Sequence, residues 1–252
     1  MIKHLIFYVL TAAVKDKIFL SYLALVAVTT SLSIFFGASS VNEQDQFAIV
    51  FTSGSLRIIS VFTLVLFIVF YFARSFENRD VEFLFSKPIT RWQYIISHFF
   101  AFTLLSFLIA TTETLALMLI SGENIQYSIL LWGLSVFVEL SVISAISIFF
   151  GIAFSNAVSA TLSTFGFYVL ARLIGDIIGI LESGISNIIT ETLGKVMLVI
   201  SFFVPRLDLM GQSSWLVYGV EDFNIMALSA QMIIFLGLIL SATYLDLTRR
   251  QF

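Results

Sequence analysis

Four ionisable side chains stand inside long apolar stretches of this sequence: Glu113, Glu139, Arg172 and Asp176. Charge in hydrocarbon is expensive, so such residues are by default paired, functional or both. Arg172 and Asp176 are four apart and share one face of a helix. The simple reading is a self-neutralised pair within one helix. The sharper reading has the pair lining an interface or pathway, with Glu113 and Glu139 joining it or standing protonated among helices. Chained carboxylates would also suit a proton-coupled carrier, but these three lie on separate segments, and neither a discontinuous helix nor an inverted repeat is visible. Gly175 and Gly179 form a G-x-x-x-G on the same segment as Arg172. Small residues at that spacing let helices approach closely, within the chain or between two copies. Enzyme chemistry finds little to use. There is no Cys, and the two histidines, His4 and His98, make no metal site. Neither G-x-S-x-G nor G-x-x-x-x-G-K-[ST] occurs, so no P-loop nucleotide site is expected in this chain.

The elements that carry these residues follow from composition. The chain has 252 residues, 59% hydrophobic and 12% charged, about half the ~25% charge of a soluble domain. Its 28 Phe and 8 Tyr exceed what a globule of this size can bury, which excludes a soluble or disordered chain. A net charge of −3 offers no basic surface for nucleic acid. The fold class expected is an all-α polytopic membrane protein with six transmembrane helices in a single domain over 1–252. About 20 apolar residues cross the hydrocarbon, and six segments qualify: Ile18 to Gly37, Leu56 to Ala73, Ile95 to Ile120, Tyr127 to Phe154, Ala157 to Leu181 and Met226 to Leu245. A seventh run, Leu193 to Val204, holds twelve residues with Lys195 and ends at Pro205. It suits a re-entrant or interfacial segment, and 182–225 is expected to cap one face of the bundle. Residues 1–17 are expected to form an interfacial helix with Lys3, Lys15 and Lys17 at lipid head groups. A signal peptide is the weaker reading, because Lys15-Asp16-Lys17 falls where cleavage would occur.

Six spans put both termini on the side of the 74–94 segment. That side carries Lys3, Lys15, Lys17, Arg74, Arg79, Lys87, Arg91, Arg249 and Arg250, against Lys195 and Arg206 opposite. The bias makes it cytoplasmic. Within 74–94, Asn78 is the expected N-cap of a short amphipathic helix carrying Arg79, Asp80 and Glu82, and Pro88 ends it near Ser86. Thr90-Arg-Trp-Gln93 is then a capping box opening the third span.

The order of residues here resembles the permease subunits of ABC-2 type ATP-binding-cassette transporters. Phe85-Ser86-Lys87-Pro88-Ile89-Thr90-Arg91 is similar to the family's "L-S-x-P-I-S-R" between its second and third spans, and Glu77 or Glu82 stands near its acidic start. The family's Gly-Thr is replaced by Asp80-Val81-Glu82. Phe203-Val-Pro205-Arg-Leu-Asp208 is similar to a proline-containing stretch before the sixth span of such permeases. The resemblance implies a permease dimer, expected to be of identical copies in the inner membrane of a bacterium, exporting a cargo. Two cytoplasmic ATPase subunits would bind the ATP and Mg, leaving no cofactor on this chain. A coupling helix at about Asn78–Ser86 would dock into the ATPase through Glu77, Arg79, Asp80 and Glu82, with Pro88 and Arg91 shaping its exit. The Ser155-Asn156 turn would make a smaller second contact. An ATPase-independent carrier or channel, and an accessory membrane subunit, are the competing readings.

Overall fold

In a computed structural model, the structure describes residues 2–39, 44–86, 89–121, 126–183, 194, 196, 197, 200, 201, 203–219 and 225–249. Among these there is no strand. The helices are α1 (Ile2–Lys15), α2 (Ile18–Ser39), α3 (Gln44–Glu77), α4 (Asp80–Phe85), α5 (Arg91–Ile120), α6 (Gln126–Ala153), α7 (Ala157–Ser183), α8 (Trp215–Tyr218) and α9 (Ile225–Arg249), with a 3-10 turn at Leu207–Leu209. Six of them, α2, α3, α5, α6, α7 and α9, are long and apolar enough to cross a membrane. The chain is a helical multi-pass membrane protein.

The central helix is α6. Within its most apolar stretch 72% is buried, against 22% for α2, α7 and α9. Small side chains make that position possible. Ser144, Ala145 and Ser147 are wholly buried, and a Cβ at Gly151 would sit 3.3 Å from the Phe72 ring of α3. Between α5 and α6, Ser106 Oγ and Ser144 Oγ meet at 3.1 Å. Lipid supplies no hydrophobic drive between helices, so close backbone approach and such hydrogen bonds hold the bundle.

The segment expected to begin at Leu56 starts twelve residues earlier. α3 opens at Gln44 and runs 34 residues, about 51 Å at 1.5 Å per residue. Its polar first third escaped a hydropathy reading because Thr52 and Ser53 are buried among helices rather than exposed to lipid. Ser33 Oγ of α2 donates to the Ala48 carbonyl at 2.6 Å there. The Thr90–Gln93 capping box is present in full, with Gln93 N donating to Thr90 Oγ1 and Thr90 N to Gln93 Oε1, both at 3.2 Å.

Contacts at the two ends fix how the chain is strung. At one end Asp16 pairs with Arg74 at 2.5 Å, and Arg91 donates to the Leu247 carbonyl at 2.8 Å. The α1–α2 turn, the end of α3, the start of α5 and the end of α9 therefore gather beside α4. The 205–219 segment packs at the opposite end. Leu207, Met210, Trp215 and Leu216 are buried there, and Ser53 Oγ of α3 bonds Ser213 Oγ at 2.9 Å. Lys87, Pro88, Lys195 and Arg250 lie outside the described residues, as does most of 182–203.

Candidate functional site

The intramembrane charges form a cluster assembled from four helices and a loop. The sequence expectation that Arg172 pairs with Asp176 is overturned. Arg172 reaches across to α6, where its Nη1 lies 3.5 Å from Glu139 Oε1. The same nitrogen donates to the Leu207 carbonyl and, at 2.6 Å, to that of Met210. Asp176 is exposed on α7 and enters no ion pair among the described residues. The buried face of α7 is that of Ala171, Ile174 and Ile178; Arg172 flanks it, and Asp176 lies further from it.

Arg57 of α3, which lay too near the edge of its apolar stretch to be singled out, is the second cation. Its Nη1 donates to the Gly211 carbonyl. Trp132 Nε1 of α6 donates to the same oxygen at 3.1 Å, and Gly211 N donates to Ser135 Oγ at 2.9 Å. Gly211 has φ +55°, a left-handed conformation that glycine adopts without strain. A side chain there would also crowd its neighbours. Its Cβ would stand 3.2 Å from both Glu139 Oε2 and Val136 Cγ2, and 3.4 Å from Arg57 Cδ. A left-handed glycine thus lets a polar loop settle onto a carboxylate and two guanidiniums.

Glu139 is wholly buried, yet among the described residues neither carboxylate oxygen has a hydrogen-bond partner, nor has Arg57 Nε. The Tyr168 hydroxyl stands beside Glu139 without meeting hydrogen-bond geometry. Glu113 of α5 is equally buried and accepts from Tyr22 Oη of α2 at 3.1 Å through Oε1. Its Oε2 is unpartnered. Arg57 and Glu139 both act electrostatically on Glu113, so two basic and two acidic side chains belong to one set. Pairing with one another and with backbone carbonyls is what lets a bundle hold such groups at depth.

Gly175 is a position of internal packing. A Cβ there would strike the Asp208 carboxylate, which holds Arg206 Nη2 at 2.7 Å. Gly179 has nothing within 4 Å, so the G-x-x-x-G faces two environments. His98 is a core residue. Its Nδ1 lies 2.8 Å from the Tyr94 carbonyl, which can only accept, so the ring proton sits there. Nε2 accepts from Tyr71 Oη at 3.2 Å. No set of three His, Asp or Glu side chains suited to a metal occurs among the described residues.

At the other end, α4 spans Asp80–Phe85, shorter than the expected Asn78–Ser86. Its N-cap is Arg79, with φ 59° and no side-chain cap bond, rather than Asn78. Asn78 instead extends the last turn of α3, its N donating to the Arg74 carbonyl at 2.9 Å. Val81 is buried, whereas Glu77, Arg79 and Glu82 are exposed and Asp80 is half-buried. Phe85 turns inward onto the Tyr94 ring, with centroids 5.4 Å apart. A cleft of about 250 Å³ at the end of α3 is lined by Ala73, Phe76, Glu77, Phe154 and Ser155 among others. It joins the end of α3 to the Ser155-Asn156 turn, where Asn156 Oδ1 caps α7 by accepting from Val158 N at 2.8 Å. No protein-family model matches the chain, and no curated protein matches it.

Proposed function

We propose that this chain is the membrane-spanning subunit of an ABC-2 type transporter, working as a homodimer in a bacterial inner membrane with both termini inside. Two ATPase subunits carry ATP and Mg and drive export of a cargo through the permease pair. The observation that carries the reading is the Phe85–Arg91 order between the second and third of six spans. A charged short helix at that place, and a cleft leading from Glu77 to the Ser155-Asn156 turn, support it. α1 is read as the interfacial helix, since its 14 residues are too few to span.

The test is purification of the chain from its native membranes in mild detergent. Mg–ATP hydrolysis is expected to co-purify and to fall at least about tenfold in Glu77→Lys/Glu82→Lys, because about 1.4 kcal/mol of lost interface energy suffices for that. A monodisperse preparation without hydrolysis, or a double variant with full activity, overturns the reading.

A second reading, a carrier without an ATPase, draws on the unpartnered oxygens of Glu113 and Glu139. Vesicles containing this chain alone discriminate the two. Proton entry down a pH gradient, abolished by Glu139→Gln, favours the carrier.

A further inference from the structure

We propose that the 205–212 loop is a gate at its end of the bundle, latched by Arg57 and Arg172 and released when the two guanidiniums pass from loop carbonyls to Glu139. Latched, the two arginines serve the carbonyls of Gly211, Leu207 and Met210. These acceptors are backbone atoms, so the arginines grip the loop by its conformation. The loop's own anchors are the buried side chains of Leu207 and Met210, Gly211 N on Ser135 Oγ at 2.9 Å, Trp132 Nε1 on the Gly211 carbonyl at 3.1 Å, and Ser213 on Ser53 at 2.9 Å.

Glu139 makes the arrangement two-sided. Its oxygens are buried without hydrogen bonds among the described residues, Arg172 Nη1 stands at ion-pair distance, 3.5 Å, and the Arg57 stem passes the same Gly211 position. A buried carboxylate without hydrogen bonds is costly, and guanidinium–carboxylate hydrogen bonds are stronger than those to a neutral carbonyl. Swinging the guanidiniums onto Glu139 satisfies it as the loop leaves, and freed loop carbonyls find water outside. The same donors serve either arrangement, which is how a packed element becomes bistable rather than gradually deformable. The gate extends the transporter reading by naming one of its doors. Its readouts need neither cargo nor ATPase, so either idea can fail alone.

The chain contains no Cys, which permits thiol probes on the full protein in lipid nanodiscs. Ser53→Cys/Ser213→Cys reports the latched loop by disulfide formation under mild oxidation. Val136→Cys, buried directly beneath Gly211, reports the released loop by its labelling rate with a polyethylene-glycol maleimide. Glu139→Gln deprives the released state of its charged acceptor, leaving only a neutral amide oxygen. It is expected to speed disulfide formation and to slow labelling of the Val136→Cys thiol, each about fivefold or more, the factor matching roughly 1 kcal/mol. Glu139→Asp, a smaller change, is expected to move both rates the same way by less, and serves if the Gln variant does not insert. Gly211→Ala, whose Cβ meets Glu139 and Val136, is expected to speed labelling. Were Glu139 only a structural counter-charge, its neutralisation would loosen the loop. Unchanged rates, or faster labelling in Glu139→Gln or Glu139→Asp, overturn the gate.

Discussion

Arg172 binds two carbonyls and a carboxylate from outside its own helix, and this fixes what its removal does. Arg172→Leu strands Glu139 inside the bundle and removes the arginine donor from the Leu207 and Met210 carbonyls, of which the first keeps Met210 N at 3.0 Å. Breaking a buried ion pair from one side costs about 3–5 kcal/mol. Asp176→Leu, at an exposed site with no ion pair among the described residues, is expected to change stability by less than about 0.5 kcal/mol. The Arg172→Leu/Asp176→Leu double variant should therefore be as unstable in detergent melts as Arg172→Leu alone. Recovery in the double variant would restore the intrahelical pair. A four-residue spacing is visible in a sequence, whereas the partner on α6 stands 33 positions away on a helix whose faces are all apolar. Arg57 was hidden for a related reason. Hydropathy marks where lipid can surround a helix, and the start of α3 is surrounded by other helices. The carbonyls of Leu207, Met210 and Gly211 carry no side-chain signal at all, and only the glycine at φ +55° hints that the loop turns sharply there.

Among the elements, the α5–α6 contact turns on one missing side chain. A Cβ at Gly133 would collide with Thr114 Oγ1 and lie 3.2 Å from two Thr114 carbons. The Thr114 hydroxyl is held back on the Ala110 carbonyl at 2.7 Å, so it has little room to yield. Gly133→Ala is expected to cost about 1–3 kcal/mol by overpacking, and Thr114→Ala in the same chain to recover most of it. Gly179→Ala, with open space around it, should be nearly neutral, although Gly179 belongs to the more conspicuous motif. Thermal unfolding of the three variants checks this, and an equal loss at both glycines would refute the packing described. The lesson is general for helices in lipid. A G-x-x-x-G draws the eye because it repeats, whereas contact depends on which face the neighbour occupies. Capping is different, because its chemistry is complete within four residues. The Thr90–Gln93 box was legible for that reason, and α4 was misjudged by two residues at its start because Arg79 took a left-handed conformation that no side chain announces.

For the whole molecule, charge asymmetry becomes a property of two ends rather than of a list of loops. Lys15, Lys17, Arg74, Arg79, Arg91 and Arg249 belong to turns and helix ends that the Asp16–Arg74 and Arg91–Leu247 contacts draw together. Arg206 lies at the opposite end, with Asp208 and the loop. Ser53 and Glu77 of α3 are 24 residues apart, about 36 Å along the helix, enough to separate the ends by a full hydrocarbon thickness of ~30 Å. On the positive-inside rule α4 is expected inside and the 205–219 segment outside. Two exposed serines test it, Ser86 beside α4 and Ser214 before α8, each changed to Cys in a chain that has no other thiol. A membrane-impermeant maleimide added to intact cells is expected to label Ser214→Cys and to reach Ser86→Cys only after permeabilisation. The inverse pattern would place α4 outside, beyond reach of any ATP-hydrolysing partner, and would remove the coupling role from Glu77, Arg79, Asp80 and Glu82 at one stroke. Equal labelling of both from outside would refute the six-span stringing itself, since the crossings of α5, α6 and α7 lie between the two sites and an odd number of crossings must leave them on opposite faces.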